Sequence, residues 1–176
     1  MERMPVLAFA LLLAACAPAA APEAAAPSDA RDDVLGLLTA LAEAPPIEAG
    51  LVERALRVRM APRGSGVTGE RSLANGTLSA SIFNGSATIT MPGKLPDTPC
   101  VLSIGELLDQ AEVLGYAVNF YDLGSKPAWT LTKDGVGGRG VGMNVMTNPP
   151  TKPGERQACV GYISAGTEAS DEQAVP

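Results

Sequence analysis

Two short runs, Thr77-Leu78-Ser79-Ala80-Ser81-Ile82-Phe83 and Ser86-Ala87-Thr88-Ile89-Thr90-Met91, are separated only by Asn84-Gly85. That dipeptide supplies the positive φ angles of a two-residue turn, so the runs are predicted to pair as an antiparallel hairpin. With Phe83 opposite Ser86, Ile82 meets Ala87, Ala80 meets Ile89 and Leu78 meets Met91. The other face then carries Ser79 with Thr90 and Ser81 with Thr88. One side packs and the other is wet, which requires a larger sheet and a cover over its apolar face. A Ser/Thr face of this kind is either simply solvated or able to meet a glycan or an antiparallel partner.

Two amphipathic segments offer the cover. Val34, Leu37, Leu38 and Leu41 fall on one face of a helix over 29–42, with Asp29, Asp32 and Asp33 at its amino end and Pro45-Pro46 beyond it. In the second, Ser103 followed by Glu106 forms a capping box. Ile104, Leu107, Leu108, Ala111 and Leu114 make the stripe, and Gly115 stops a helix over 103–114. Between 46 and 60 a short helix or turn near 46–52 is expected to pass into a strand near 54–60, where Leu56, Val58 and Met60 alternate with Arg57 and Arg59. Further strands are expected at 116–121, with Tyr116, Val118 and Phe120 on one face, at 129–132 and at 159–163. The glycine-rich stretch from Gly135 to Gly142 lacks the Lys-Ser/Thr ending of a phosphate loop and reads as a bulged hairpin crossing. The fold class is α+β, a mainly antiparallel sheet covered by two helices; a small β-sandwich is the alternative.

The amino terminus carries a different signal. Arg3 precedes the apolar run Val6-Leu7-Ala8-Phe9-Ala10-Leu11-Leu12-Leu13, which is too short to cross a bilayer as a helix, and Ala14-Ala15-Cys16 follows it. Small residues at 14 and 15 suit either type of signal peptidase, and the cysteine directly after them separates the two. Leu13-Ala14-Ala15-Cys16 resembles the lipobox of bacterial lipoprotein precursors. The resemblance implies a signal peptide over 1–15, cleavage before Cys16 and lipid on its thiol. Ala17 in the next position implies transport to the outer membrane, with the domain facing the periplasm. Residues 16–27, rich in Ala and Pro, read as a tether, 28–163 as one domain and 164–176 as a polar disordered tail.

Removing residues 1–15 takes away Arg3 and Glu2 together, so the net charge stays at -6. That balance argues against nucleic acid as a partner. Basic residues crowd 54–71 and acidic ones 103–122, and mutual pairing of these regions is the plain expectation. Arg57 and Arg59, at alternate positions of the expected strand, are the candidate partner contacts, able to engage carboxylates or phosphates unless Glu106, Asp109 and Glu112 neutralise them. Cys100 and Cys159 form the even pair left once Cys16 is lipidated, and an exported compartment favours their disulfide. The chain has no histidine, which removes the usual general base and the triads built on it. No catalytic, cofactor-binding or metal residues are assigned. The functional expectation is a membrane-anchored envelope lipoprotein that scaffolds an assembly or binds another envelope protein or peptidoglycan-associated component. A periplasmic module for a small ligand or glycan, or an inhibitor, is the alternative.

Overall fold

The computed structural model describes residues 27–43, 46–92, 100–122, 127–135 and 139–169. Cys16 with its lipobox, residues 17–26 of the tether and the tail from residue 170 lie outside the described residues. Three helices, α1 (Pro27–Leu41), α2 (Ala49–Leu56) and α3 (Ile104–Val113), accompany one antiparallel sheet. Its strands are β1 (Ala61–Arg63), β2 (Gly66–Leu73), β3 (Gly76–Phe83), β4 (Ser86–Thr90), β5 (Ala117–Tyr121), β6 (Ala128–Asp134), β7 (Arg139–Thr147) and β8 (Val160–Ala169). They lie in the order β1-β2-β3-β4-β8-β7-β6-β5. A single sheet with helices on one face is the α+β arrangement expected, and the β-sandwich is set aside.

The β3-β4 hairpin has the register its sequence dictates, with Phe83 opposite Ser86, Ile82 opposite Ala87 and Ala80 opposite Ile89. Asn84 and Gly85 take φ of 48° and 74°, so both turn positions are left-handed. The long-range pairing seats β8 beside β4, Ile163 against Ile89, and beside β7, Ile163 against Val145. The apolar residues of these strands therefore form a single floor. Over it lie Val34, Leu37, Leu38 and Leu41 of α1 and Leu107 of α3, which with the floor enclose an apolar void of only about 10 Å³. That is the limit for a single water molecule, so the centre is packed core.

The strand expected near 54–60 is not there. The helical residues continue to Leu56, Arg57 ends the helix in a left-handed conformation with φ 52°, and β1 begins only at Ala61. The alternation that suggested a strand is real as burial, since Leu56 and Val58 are buried while Arg57 and Arg59 are exposed. A helix end followed by an extended linker produces the same alternation. This linker crosses β2 so closely that a Cβ on Gly69 would stand 2.8 Å from the Arg59 carbonyl oxygen. The polar stretch after Ile163 is likewise not all tail, because β8 continues to Ala169. The 135–142 segment does join two paired strands, β6 and β7, of which 136–138 lie outside the described residues.

Charge pairing also differs from expectation. Asp33 of α1, 7% exposed, meets Arg71 of β2 at 2.6 Å and Arg57 at 3.1 Å. Glu106 meets Arg31 of α1 at 2.8 Å, and Asp109 pairs with Arg156. Both regions thus draw ion-pair partners from elsewhere in the chain, with α1 supplying one to each. Three-dimensional crossing of α1 over the sheet decides this, not distance along the chain.

Cys100 and Cys159 are disulfide-bonded with Cα atoms 5.3 Å apart. The bond sits where Ser103 bridges to Cys159 and Val160 donates its N–H to Leu102, so it ties the entry of α3 to the start of β8.

Two stability predictions follow from this geometry. Arg71 keeps its Nε and Nη2 buried without a hydrogen-bond partner among the described residues, so Asp33 is the one counter-charge these residues bring to it in an almost dry setting. Asp33→Ala is expected to lower stability by about 3–5 kcal/mol, read as a shift of the urea midpoint at unchanged slope. Reducing Cys100–Cys159 should cost about 2–4 kcal/mol through the freedom returned to the unfolded loop, measured the same way with and without reductant.

Candidate functional site

The helices occupy one face of the sheet and leave the other uncovered among the described residues. The register lines up a continuous row of side chains across that open face. Thr68 of β2, Ser81 of β3 and Thr88 of β4 lead into Ser164 of β8. From there the row passes through Asn144 of β7 and Thr130 of β6 to Asn119 of β5. Every member is a hydroxyl or a primary amide, each able both to donate and to accept a hydrogen bond. All are half-buried or exposed.

The flanking rows keep this character. Glu70, Ser79, Thr90, Tyr162 and Met146 are in register on one side. Phe83, Ser86, Gly166, Gly142, Thr132 and Ala117 are in register on the other. Glu70, at the β2 end, is the one charge in the three rows. Phe83 and Tyr121, 53% and 50% exposed, follow the outward parity of β3 and β5 and stand at opposite ends of the face. Outward Ser and Thr were foreseeable on β3 and β4 alone. The row was not, because its continuity depends on the β4-β8 and β8-β7 pairings, and the signal available in sequence was only a small polar residue at alternate positions of each strand.

Arg57 and Arg59 do not stand side by side on a strand. Arg57 closes α2 and turns its guanidinium to Asp33, whereas Arg59 is exposed in the linker and presses its carbonyl against Gly69. The paired fork that made them candidate contacts is absent, because the left-handed residue at 57 breaks the extended backbone such a fork requires.

A second concavity lies beneath the loop from Pro149 to Ala158. It holds about 380 Å³ between Pro149, Thr151, Gly154 and Cys159. A smaller space of about 210 Å³ on the inner side of the loop has Ile104, Leu108 and Trp129 as its floor. Arg156 spans the loop and α3, donating to the Gly105 carbonyl at 3.1 Å and to Asp109. A Cβ on Gly105 would come within 2.9 Å of the Arg156 carbonyl oxygen, so glycine there lets the loop backbone seat on the helix. The Ile104 and Gly105 N–H groups donate to the Ala158 and Arg156 carbonyls, and the Glu106 N–H to the Ser103 hydroxyl oxygen. The helix start is therefore satisfied within the protein and is no anion site.

Three titratable groups are shifted by these and neighbouring contacts, Arg31 upward through its hydrogen bonds to Glu106 and Asp32. Partial burial pushes the Glu106 carboxyl up, but hydrogen bonds from the Ser103 hydroxyl and N–H, together with Arg31, outweigh it and hold it below its usual value of 4.5. Burial raises the Tyr116 hydroxyl far above its ordinary value of 10.0, and that hydroxyl donates to the Leu38 carbonyl at 3.1 Å. Neither Glu106 nor Tyr116 opens onto the outer face, and the shifted partner of Glu106 is its counter-ion Arg31. Among the described residues no group of three or more Cys, Asp or Glu could hold a metal ion, and no helix is long and apolar enough to cross a membrane.

Because the folded Glu106 titrates below its unfolded value, its contribution is complete above 4.5 and is lost as pH falls through the folded value. Thermal midpoints of the wild-type chain and Glu106→Gln should differ at neutral pH and converge on the acid side of 4.5.

Compared with known proteins, the chain matches no family model, no curated protein and no solved structure.

Proposed function

We propose that this chain is a lipid-anchored component of a bacterial cell envelope, tethered through Cys16 at the outer membrane, whose domain holds another envelope component on the open face of its sheet. The observation that carries the reading is the contrast between the two faces. One is sealed by α1, α2 and α3 over buried Leu, Val and Ile. The other presents small neutral polar side chains over seven strands.

The lipobox resemblance supports the anchor, and the Ala/Pro composition of 16–26 supports a tether. An anchored domain meets its target at raised local concentration, so a broad and individually weak surface is sufficient. Catalysis has no place in this reading. The second reading, a small-ligand module, draws on the cavity under the 149–158 loop.

Intact-mass measurement of the membrane fraction should show cleavage before Cys16 and added acyl mass. A photo-crosslinker at position 164, on the open face, should capture one stoichiometric envelope component in native membranes, whereas one at Val113, exposed on α3, should not. An unacylated chain released from membranes, or equal capture from both positions, would sink the proposal.

A further inference from the structure

The chemistry of the open face narrows what it can hold. From it we infer that the face binds an uncharged polysaccharide strand laid across β2 to β5, an inference that rests on the envelope-binding reading and names its partner class.

Complementarity of charge comes first. In a chain where charged residues make up 18% of the sequence, the three registered rows carry a single carboxylate, Glu70, and no lysine or arginine. A phosphate or carboxylate polymer would find no counter-charge in these rows, would meet Arg63 only at the short β1 edge and carboxylates at Glu70 and Asp134, and would approach an acidic molecule of net charge -6. An uncharged ligand has no such penalty.

Hydrogen-bonding capacity comes next. Sugar hydroxyls are donors and acceptors at once, and so are the hydroxyl and amide groups from Thr68 to Asn119. Protein interfaces, by contrast, are depleted in Ser and built around buried aromatic, Met and Arg anchors. The centre of this face holds Thr88, Ser164 and Asn144, which offers no anchor pocket for a protein hot spot. Nor can an extended peptide join by backbone pairing in the middle of the sheet, where the ladder groups are already used.

Shape and aromatic placement complete the case. With neighbouring strands about 4.8 Å apart, seven strands give a row roughly 29 Å long. That is the dimension of an oligosaccharide and not of one sugar. Among the described residues Phe83 and Tyr121 are two of the three exposed large hydrophobic side chains, and they stand at opposite ends of this face with Tyr162 between them. Exposed rings flanking a hydroxyl row give sugar C–H faces an apolar surface while their hydroxyls reach the row. Each hydrogen bond exchanged with water yields only about 1 kcal/mol, so affinity must accumulate along the polymer.

The test uses the full chain purified from membranes in detergent. It is sedimented with insoluble cellulose and chitin and titrated with cello- and chito-oligosaccharides of increasing length. Retention on at least one polymer is expected, with affinity for hexamers at least tenfold above that for dimers. Ser164→Glu and Tyr121→Ala should each weaken retention at least tenfold, and Val113→Ala should leave it unchanged. Tyr121→Ala lies at an exposed edge and keeps the test decisive should Ser164→Glu fail to fold. No retention on either polymer, or retention undiminished in both variants, overturns the inference. If the crosslinker at position 164 captures a stoichiometric protein instead, the glycan inference falls and the envelope-binding reading stands. Capture of nothing from membranes together with no retention removes both.

Discussion

The ion pair between Asp33 and Arg71 is the constraint on which the arrangement depends. Asp33 immediately precedes Val34 on the face that α1 turns to the sheet, and it is the one buried charged residue among the described residues. A carboxylate in that position is tolerable only if a cation reaches it, and Arg71 does so from β2. The pair adds little net stability compared with an apolar substitute, but it makes every misplaced α1 costly, because sliding the helix would strand both charges. Once α1 is fixed, Leu37, Leu38 and Leu41 come down over Ile89, Val145 and Ile163, Arg31 reaches Glu106 on α3, and the Leu38 carbonyl receives the Tyr116 hydroxyl. One helix thereby positions the second cover helix and the edge of the sheet.

The far side of the layer is held by different means. α3 is joined to β8 by the disulfide and by carbonyls of the 155–158 segment on its first N–H groups, which fixes its start without a buried charge. Its capping box is closed on both sides, the Ser103 oxygen on the Glu106 N–H and the Glu106 carboxylate on the Ser103 N–H. The two cover helices are thus fastened to the sheet by different means, α1 electrostatically and α3 covalently, and Arg31–Glu106 joins them to each other.

What could be read in the sequence was what neighbouring residues decide. The Asn84-Gly85 turn forces its register, Ser103 with Glu106 starts α3, and Gly115 with φ 82° stops it. Cys100 and Cys159 are bonded as their even count suggested. Where local patterns were degenerate, the reading failed. Leu56, Val58 and Met60 alternate equally well as a strand or as a helix end crossing a sheet. In β8, Tyr162, Ser164 and Gly166 face out and Ala165 is the small inward residue between them, so the strand imitates a polar tail. The pairing of β8 with both β4 and β7 was invisible because nothing within a strand names a distant neighbour. With it the polar row was invisible too.

That row follows from covering an eight-stranded sheet on one side only. The wet face of such a sheet is ordinarily protected by long charged side chains, whose desolvation discourages association. Here they are replaced by Thr, Ser and Asn, which are too short to shield the surface and carry no charge to repel a partner. The β1 edge, meanwhile, is only three residues long and contains Pro62, which cannot donate to an added strand. Edge pairing is therefore blunted on that side while the face is left approachable. A surface of this kind favours a ligand that gains many modest hydrogen bonds at once over one that needs a deep pocket or a strong ion pair. On the proposed reading, a lipid anchor supplies the proximity that such modest contacts lack individually.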